Sequence, residues 1–175
     1  MSRIHPMNKN ELLKADTPDL MIALYEWSQK GHAVMDHELV EMSPFLTFTH
    51  TDLTTEQPPS FYLIGKKSAA RDVFGNQWAD NIRKSQASPI KNHKQPSAEG
   101  YFKALQNDFN FDHVEFDTDD LKGIYRRLIV PVRTEIGMQP SFFVMLPMPI
   151  QIEHKHRMPD VEDRSSSNKQ AQNFH

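Results

Sequence analysis

The sequence predicts an α+β domain built on an antiparallel sheet, and three observations carry that expectation. Two β-rich segments, near 45–51 and 60–65, precede a block of short helical segments. Three more β-rich segments, near 112–117, 123–132 and 141–149, follow the block. An amphipathic helix over 18–30 stands ahead of the first strand. Strands gathered on either side of a helical block pair antiparallel, because parallel neighbours would each need a crossover between them. The expected architecture is a five-stranded antiparallel sheet with short helices on one face and an N-terminal helix.

Residues 1–16 are polar and are expected to be a flexible N-terminus. Thr17 can cap free N–H groups, Pro18 suits the first helical position, and Asp19 complements the positive end of the helix dipole. Leu20, Met21, Leu24, Tyr25 and Trp27 then share one side, and Gly31 stands where the helix stops. Asp36–Ser43 predicts a short helix before Pro44, and Phe45 to Thr51 predicts the first strand. After the turn at TEQPPS, Phe61-Tyr62-Leu63-Ile64 predicts the second strand, ended by Gly65. Ser68–Phe74 and Asn76–Lys84 predict two short helices, the second carrying Trp78 and Ile82. Residues 85–97 are low in apolar content and hold two prolines, as a surface loop does; Ser97 then caps a helix bearing Tyr101, Phe102, Leu105 and Phe109. Pro131 lies inside the fourth strand candidate, IYRRLIVPV, and marks an edge, a bulge or a strand end because it has no N–H to donate. The domain is thus expected over 17–152, with 17–31 as the N-terminal helix and 153–175 as a disordered polar tail.

Composition narrows the functions available. A chain of 175 residues suits one domain with tails. The absence of cysteine excludes disulfides, thiolate metal sites and cysteine nucleophiles. No apolar run approaches the roughly 20 residues that span a bilayer, and the first residues lack the apolar core of a secretory signal, so the expected location is the cytoplasm without membrane insertion. A net charge of −3, with both signs mixed along the chain, provides no field to draw in nucleic acid.

The order of elements, two strands, several short helices and three antiparallel strands, resembles the PAS sensory fold. The likeness is to a bacterial PAS-like group with an N-terminal helix before the domain. It rests on the acidic segment Asp36-His37-Glu38-Leu39 leading into a strand, and on Phe61-Tyr62-Leu63-Ile64-Gly65 followed by a helix, Gly75 and Trp78. It rests also on the strand Tyr125-Arg126-Arg127-Leu128-Ile129-Val130-Pro131-Val132, and it covers residues 18–150. The resemblance implies a sensory, ligand-binding or interaction role, and transfers no particular ligand, because one fold hosts many functions. It also implies that Tyr62, Trp78, Tyr101, Phe102 and Phe109 surround the space between sheet and helices where a ligand would sit; the other reading of these aromatics is plain core.

Other constellations carry less. His154 and His156 are two apart and on one side of a strand, without the third ligand that a metal needs. His113 is a candidate haem axial ligand in a PAS-like pocket, against a structural strand histidine. Asp117, Asp119 and Asp120 resemble half of a calcium loop but lack its glycine and terminal glutamate, and read better as a hairpin turn. Lys66, Lys67 and Arg71 form a basic cluster that either meets an anion or is a solvated helix end. Arg126 and Arg127 must point to opposite faces of their strand, so one enters the helix-covered side and needs a carboxylate such as Glu115 or an acidic ligand.

No nucleophile–base pair, metal set or phosphate-binding glycine loop can be assembled, so no enzyme and no catalytic residue is expected, and the cofactor is unknown. The leading expectation is a stand-alone PAS-like sensory or regulatory module acting through a small molecule, a protein effector or both. Its candidate pocket is Tyr62, Trp78, Tyr101, Phe102, Arg126 and Arg127. The alternative is a ligand-free interaction or scaffold protein. Because the apolar set of the 18–30 helix is wider than one sheet contact uses, Leu20, Leu24 and Trp27 are expected at a homodimer interface; the alternative is that the helix caps its own sheet in a monomer.

Overall fold

A computed structural model describes residues 2–14, 16–30, 36–82, 94–117, 121–134 and 138–155. The strands are β1 (Ser2–Met7), β2 (Thr47–Thr49), β3 (Phe61–Ile64), β4 (Asn110–Asp117), β5 (Leu121–Val132) and β6 (Phe142–His154). They form one open sheet in the order β1-β4-β5-β6-β2-β3, with every neighbouring pair antiparallel. The helices are α1 (Lys9–Leu12), α2 (Asp19–Gln29), α3 (His37–Met42), α4 (Ala69–Phe74), α5 (Asn76–Asp80) and α6 (Lys94–Asn107). The mixed fold and its antiparallel sheet agree with the sequence expectation.

The sheet has six strands, not five, because the N-terminal segment expected to be flexible pairs with β4 from Ser2↔Phe116 to Met7↔Phe111. Little in its sequence signals a strand. Arg3, His5 and Pro6 are exposed, so β1 is held by main-chain bonds to the open edge of β4 more than by side-chain burial. The chain then turns into α1 through a capping box. Asn8 Oδ1 accepts from the Glu11 N–H at 3.1 Å, and Glu11 Oε2 accepts from the Asn8 N–H at 2.8 Å.

Helices cover both faces of the sheet rather than one. Strand periodicity sends Leu128, Val130 and Val132 of β5 to one side, where they pack with Leu12, Met21, Leu24, Trp27 and Leu39 of α1–α3. It sends Ile129 to the other side, with Tyr101 and Ala104 of α6 and with Phe143 and Met145 of β6. The unbroken burial from Leu128 to Val132 and from Phe143 to Pro147 is what a sheet covered on both sides requires.

This second layer takes up, within the chain itself, the residues expected at an interface on the N-terminal helix. Leu24 is fully buried and Trp27 is 2% exposed in the chain's own core, and half-buried Leu20 packs against the same cluster. The wide apolar set of α2 is used twice, against the sheet and against α3. Trp27 Nε1 donates to both carboxylate oxygens of Asp36, at 2.9 and 3.0 Å, and Asp36 Oδ1 also accepts from the Leu39 N–H that opens α3. Pro18, not Thr17, is the residue at the helix cap; the Thr17 hydroxyl donates instead to the Glu11 carbonyl.

Two boundaries also move. Residues 153 and 154, assigned to the tail, belong to β6. Residues 94–97, assigned to the surface loop, form the first turn of α6, so Ser97 is not its cap. The remainder of the tail from residue 156, positions 83–93, Gly31, and residues 118–120 of the acidic turn lie outside the described residues. Gly75, at φ +87°, makes the break between α4 and α5 that a side chain would strain. No helix among the described residues is long and apolar enough to cross a membrane.

Two outcomes follow from this packing. Leu24→Ala should destabilise the fold by about 2–5 kcal/mol in urea titrations, the range for a fully buried leucine, with no change in oligomeric state by light scattering. A chain starting at Asn8 loses the β1–β4 ladder and should melt several degrees lower, with β4 amides near Val114 exchanging faster in hydrogen-exchange measurements. An unchanged midpoint would mean that β1 adds no stability.

Candidate functional site

The face of the sheet under α6 holds the least expected chemistry of the molecule. Register sets Asp112 of β4 directly beside Arg127 of β5, and each side chain is 1% exposed. The contact is bidentate: Arg127 Nε donates to Asp112 Oδ1 at 2.9 Å and Nη2 to Oδ2 at 2.7 Å. Arg127 Nη1 donates to Ser97 Oγ of α6 at 2.8 Å, and Asn110 Nδ2 donates to Asp112 Oδ2 at 2.7 Å. Burial alone would disfavour the arginine charge, but the adjacent Asp112 carboxylate outweighs it and pushes the Arg127 pKa upward. The guanidinium therefore keeps its charge, set face to face with the carboxylate by the two parallel bonds.

Gly100 lets α6 approach this cluster. A Cβ there would lie 2.7 Å from Arg127 Nη2 and 3.1 Å from Asp112 Oδ2, so a side chain at this position would push the guanidinium out of place. One residue on, the ring of Tyr101 lies 6.0 Å from the guanidinium carbon and meets Phe143 edge-on at 5.1 Å. Its hydroxyl points at Met145 Sδ, 3.8 Å away. Burial, partly opposed by the Arg127 charge, pushes the Tyr101 phenol up to about 12, and burial likewise raises Tyr125.

Between these groups and the pair α4–α5 lies a partly open cavity of about 60 Å3. Its walls are Phe61, Val73, Phe74, Trp78, Met145 and prolines 58, 147 and 149, with Ser97, Tyr101, Tyr125 and Arg127 supplying the polar atoms. Trp78 stands between Phe74 and Phe61, with ring centroids 5.1 and 6.0 Å away. The Trp78 indole N–H is buried and has no acceptor among the described residues. An apolar enclosure with a few convergent polar groups is the usual form of a small-molecule site.

Of the six residues expected to form a pocket, Trp78, Tyr101 and Arg127 line this cavity. Tyr62 does not; it lies on the opposite face against Phe48 and Phe142, and its neighbour Phe61 takes the place expected of it. The reason is the period of two, combined with an irregularity where β2 and β3 change register. Arg126 also faces the α1–α3 side, bound to Asp16 at 2.7 Å. Phe102 is half-buried on α6 away from the cavity, and Phe109 packs against Tyr25.

The partner of the buried arginine is Asp112, not Glu115. Glu115 lies on the other face of β4, 3.8 Å from His113 and 3.9 Å from His5, which places His113 outside the cavity. No group of three metal-ligating side chains occurs among the described residues. In the basic cluster, Arg71 donates to the carbonyls of Ile64 and Gly65 and pairs with Asp80, tying α4 to β3 and α5, and Lys67 lies over Phe45. Asn110, Asp112, Ser97 and Gly100 were not anticipated. Asp112, between Phe111 and His113, carries no sequence signal that sets it apart from Glu115 as the partner of the arginine.

Alkaline titration tests the burial of Tyr101. The folded phenol holds its proton to about pH 12, whereas in the unfolded chain it ionises near 10. Its contribution is therefore complete below about pH 10 and is lost as pH rises toward 12. Tyr101→Phe should shift the alkaline unfolding midpoint upward in far-UV circular dichroism. Asp112→Ala should cost about 3–5 kcal/mol, because it strands a buried charge, while Asp112→Leu with Arg127→Met should cost much less. Equal losses from the two would show that the pair is not buried as described.

The chain matches no protein-family model, and no curated protein and no solved structure is recognisably similar to it.

Proposed function

We propose that this protein is a PAS-like sensory or regulatory module that binds a small molecule between α4–α5, α6 and the sheet, without catalysing a reaction on it. The observation that carries this reading is the cavity lined by Trp78, Tyr101 and Arg127 and floored by a buried, neutralised ion pair. The five strands expected from the sequence lie side by side as β3-β2-β6-β5-β4, with β1 added at the edge, and the short helices follow the second of them. That arrangement supports the resemblance stated from the residues.

The signal would leave by contact with a protein effector. Ser97 and Gly100 couple α6 to the cavity floor, so a ligand that displaces the Arg127 guanidinium also shifts α6.

Native mass spectrometry of the purified protein tests the reading. The expected result is a discrete mass released on denaturation and absent from Val73→Trp, which fills the cavity wall. If wild type retains nothing and no fragment in a ligand-observed NMR screen is displaced by Val73→Trp, the ligand-binding reading falls and the interaction-protein alternative replaces it.

A further inference from the structure

Resting on that reading of the cavity, we infer that its ligand is an uncharged molecule with one aromatic ring and a single hydrogen-bond acceptor, and that the buried ion pair excludes carboxylates of the same shape. The argument begins with charge. Arg127 is the one charged side chain lining the cavity among the described residues, and Asp112 already neutralises it. An anion entering here would bring a third charge into a low-dielectric site holding one cation and one anion. The excess negative charge would lose its water without gaining a counter-ion, which is the costly case for burial.

Hydrogen bonding points the same way. A guanidinium has five N–H groups, and three bonds to Asp112 and Ser97 are made. The Trp78 indole N–H in the same wall is buried and has no acceptor among the described residues. The unmet demand is for an acceptor, not for charge. The rest of the wall, Phe61, Phe74, Trp78 and three prolines, offers flat apolar surface that suits a ring.

Size sets the limit. At about 60 Å3 the cavity exceeds the ~10–15 Å3 that one water needs, and falls short of the ~150 Å3 of an apolar cavity that accepts benzene. A carbonyl-sized head fits within it, and the attached ring requires Phe74 and Trp78 on the short helices α4 and α5 to move apart. Binding is therefore visible as a change in Trp78 emission.

Three probes of similar shape test the inference: acetophenone, neutral with one acceptor; benzoate, anionic at pH 7; and ethylbenzene, neutral with no acceptor. Titrations would follow Trp78 fluorescence in a Trp27→Phe background and ligand-observed NMR on wild type. Acetophenone should bind at least about tenfold tighter than either of the others. Replacing Asp112 by Asn, which keeps the shape and removes the compensating charge, should invert the order of acetophenone and benzoate. Asp112→Leu with Arg127→Met should erase the advantage of acetophenone over ethylbenzene. If Asp112→Asn does not fold, the wild-type ranking alone decides. Benzoate binding as tightly as acetophenone would overturn the inference and leave the cavity reading standing. Binding of none of the three at millimolar concentration would overturn both.

Discussion

An arginine and an aspartate, each 1% exposed, lie side by side in the middle of a sheet, and much of the α6 side of the molecule is arranged around them. Desolvating two such charges costs several kcal/mol each, which their attraction offsets only with good geometry and with further hydrogen bonds to the remaining atoms. Those conditions are met by particular residues. Two parallel bonds join Arg127 to Asp112, Asn110 serves the carboxylate from the same strand, and Ser97 serves the guanidinium from above. A shift of β4 against β5 by one residue would turn Asp112 to the opposite face and leave Arg127 buried without a counter-ion, so the pair resists slippage as strongly as the apolar pattern does. The same pair requires α6 to come close, and Gly100 is where it does.

The two faces of the sheet are packed differently. On the α1–α3 side, aliphatic residues of β5 and β6 meet Met21, Leu24 and Trp27 in one continuous cluster. On the other side, α6 covers Ile129, Phe143 and Met145, and the rest is left to α4 and α5. Those two helices have six and five residues and are separated by the turn at Gly75, so neither offers a long ridge to lay on the sheet. The Trp78 ring meets Phe61 and Phe74 at the margin, and the space behind them is left unfilled. The cavity is thus a consequence of helix length and ring shape acting together, and it opens beside the ion pair because both share one face of β5.

Much of the architecture was legible in the residues. Phe61–Ile64, Ile124–Val132 and Phe142–Met148 announce strands through β-branched and aromatic content, and α2 shows itself through the spacing of Met21, Leu24 and Trp27. The opposed directions of Arg126 and Arg127 follow from strand period alone, and the structure places them on opposite faces. β1 was illegible because an edge strand stabilised by main-chain bonds needs no side-chain pattern of its own. The place of α2 was not legible, because a wide apolar helix surface reads the same whether a second subunit or its own sheet and α3 cover it.

By itself, then, the sequence determined the kinds of element from α2 onward, their order and the antiparallel character of the sheet, because these depend on local spacing and on residue shape. It also determined that the two adjacent arginines point to opposite faces of their strand. Tertiary structure alone decided which carboxylate meets that arginine, since Asp112 and Glu115 are both on β4 and differ only in the face they present. It decided likewise that Phe61 rather than Tyr62 lines the cavity, through a register change between β2 and β3 that local pattern does not encode. Side-chain identity states what a residue can bind, whereas register and layer order state what it meets.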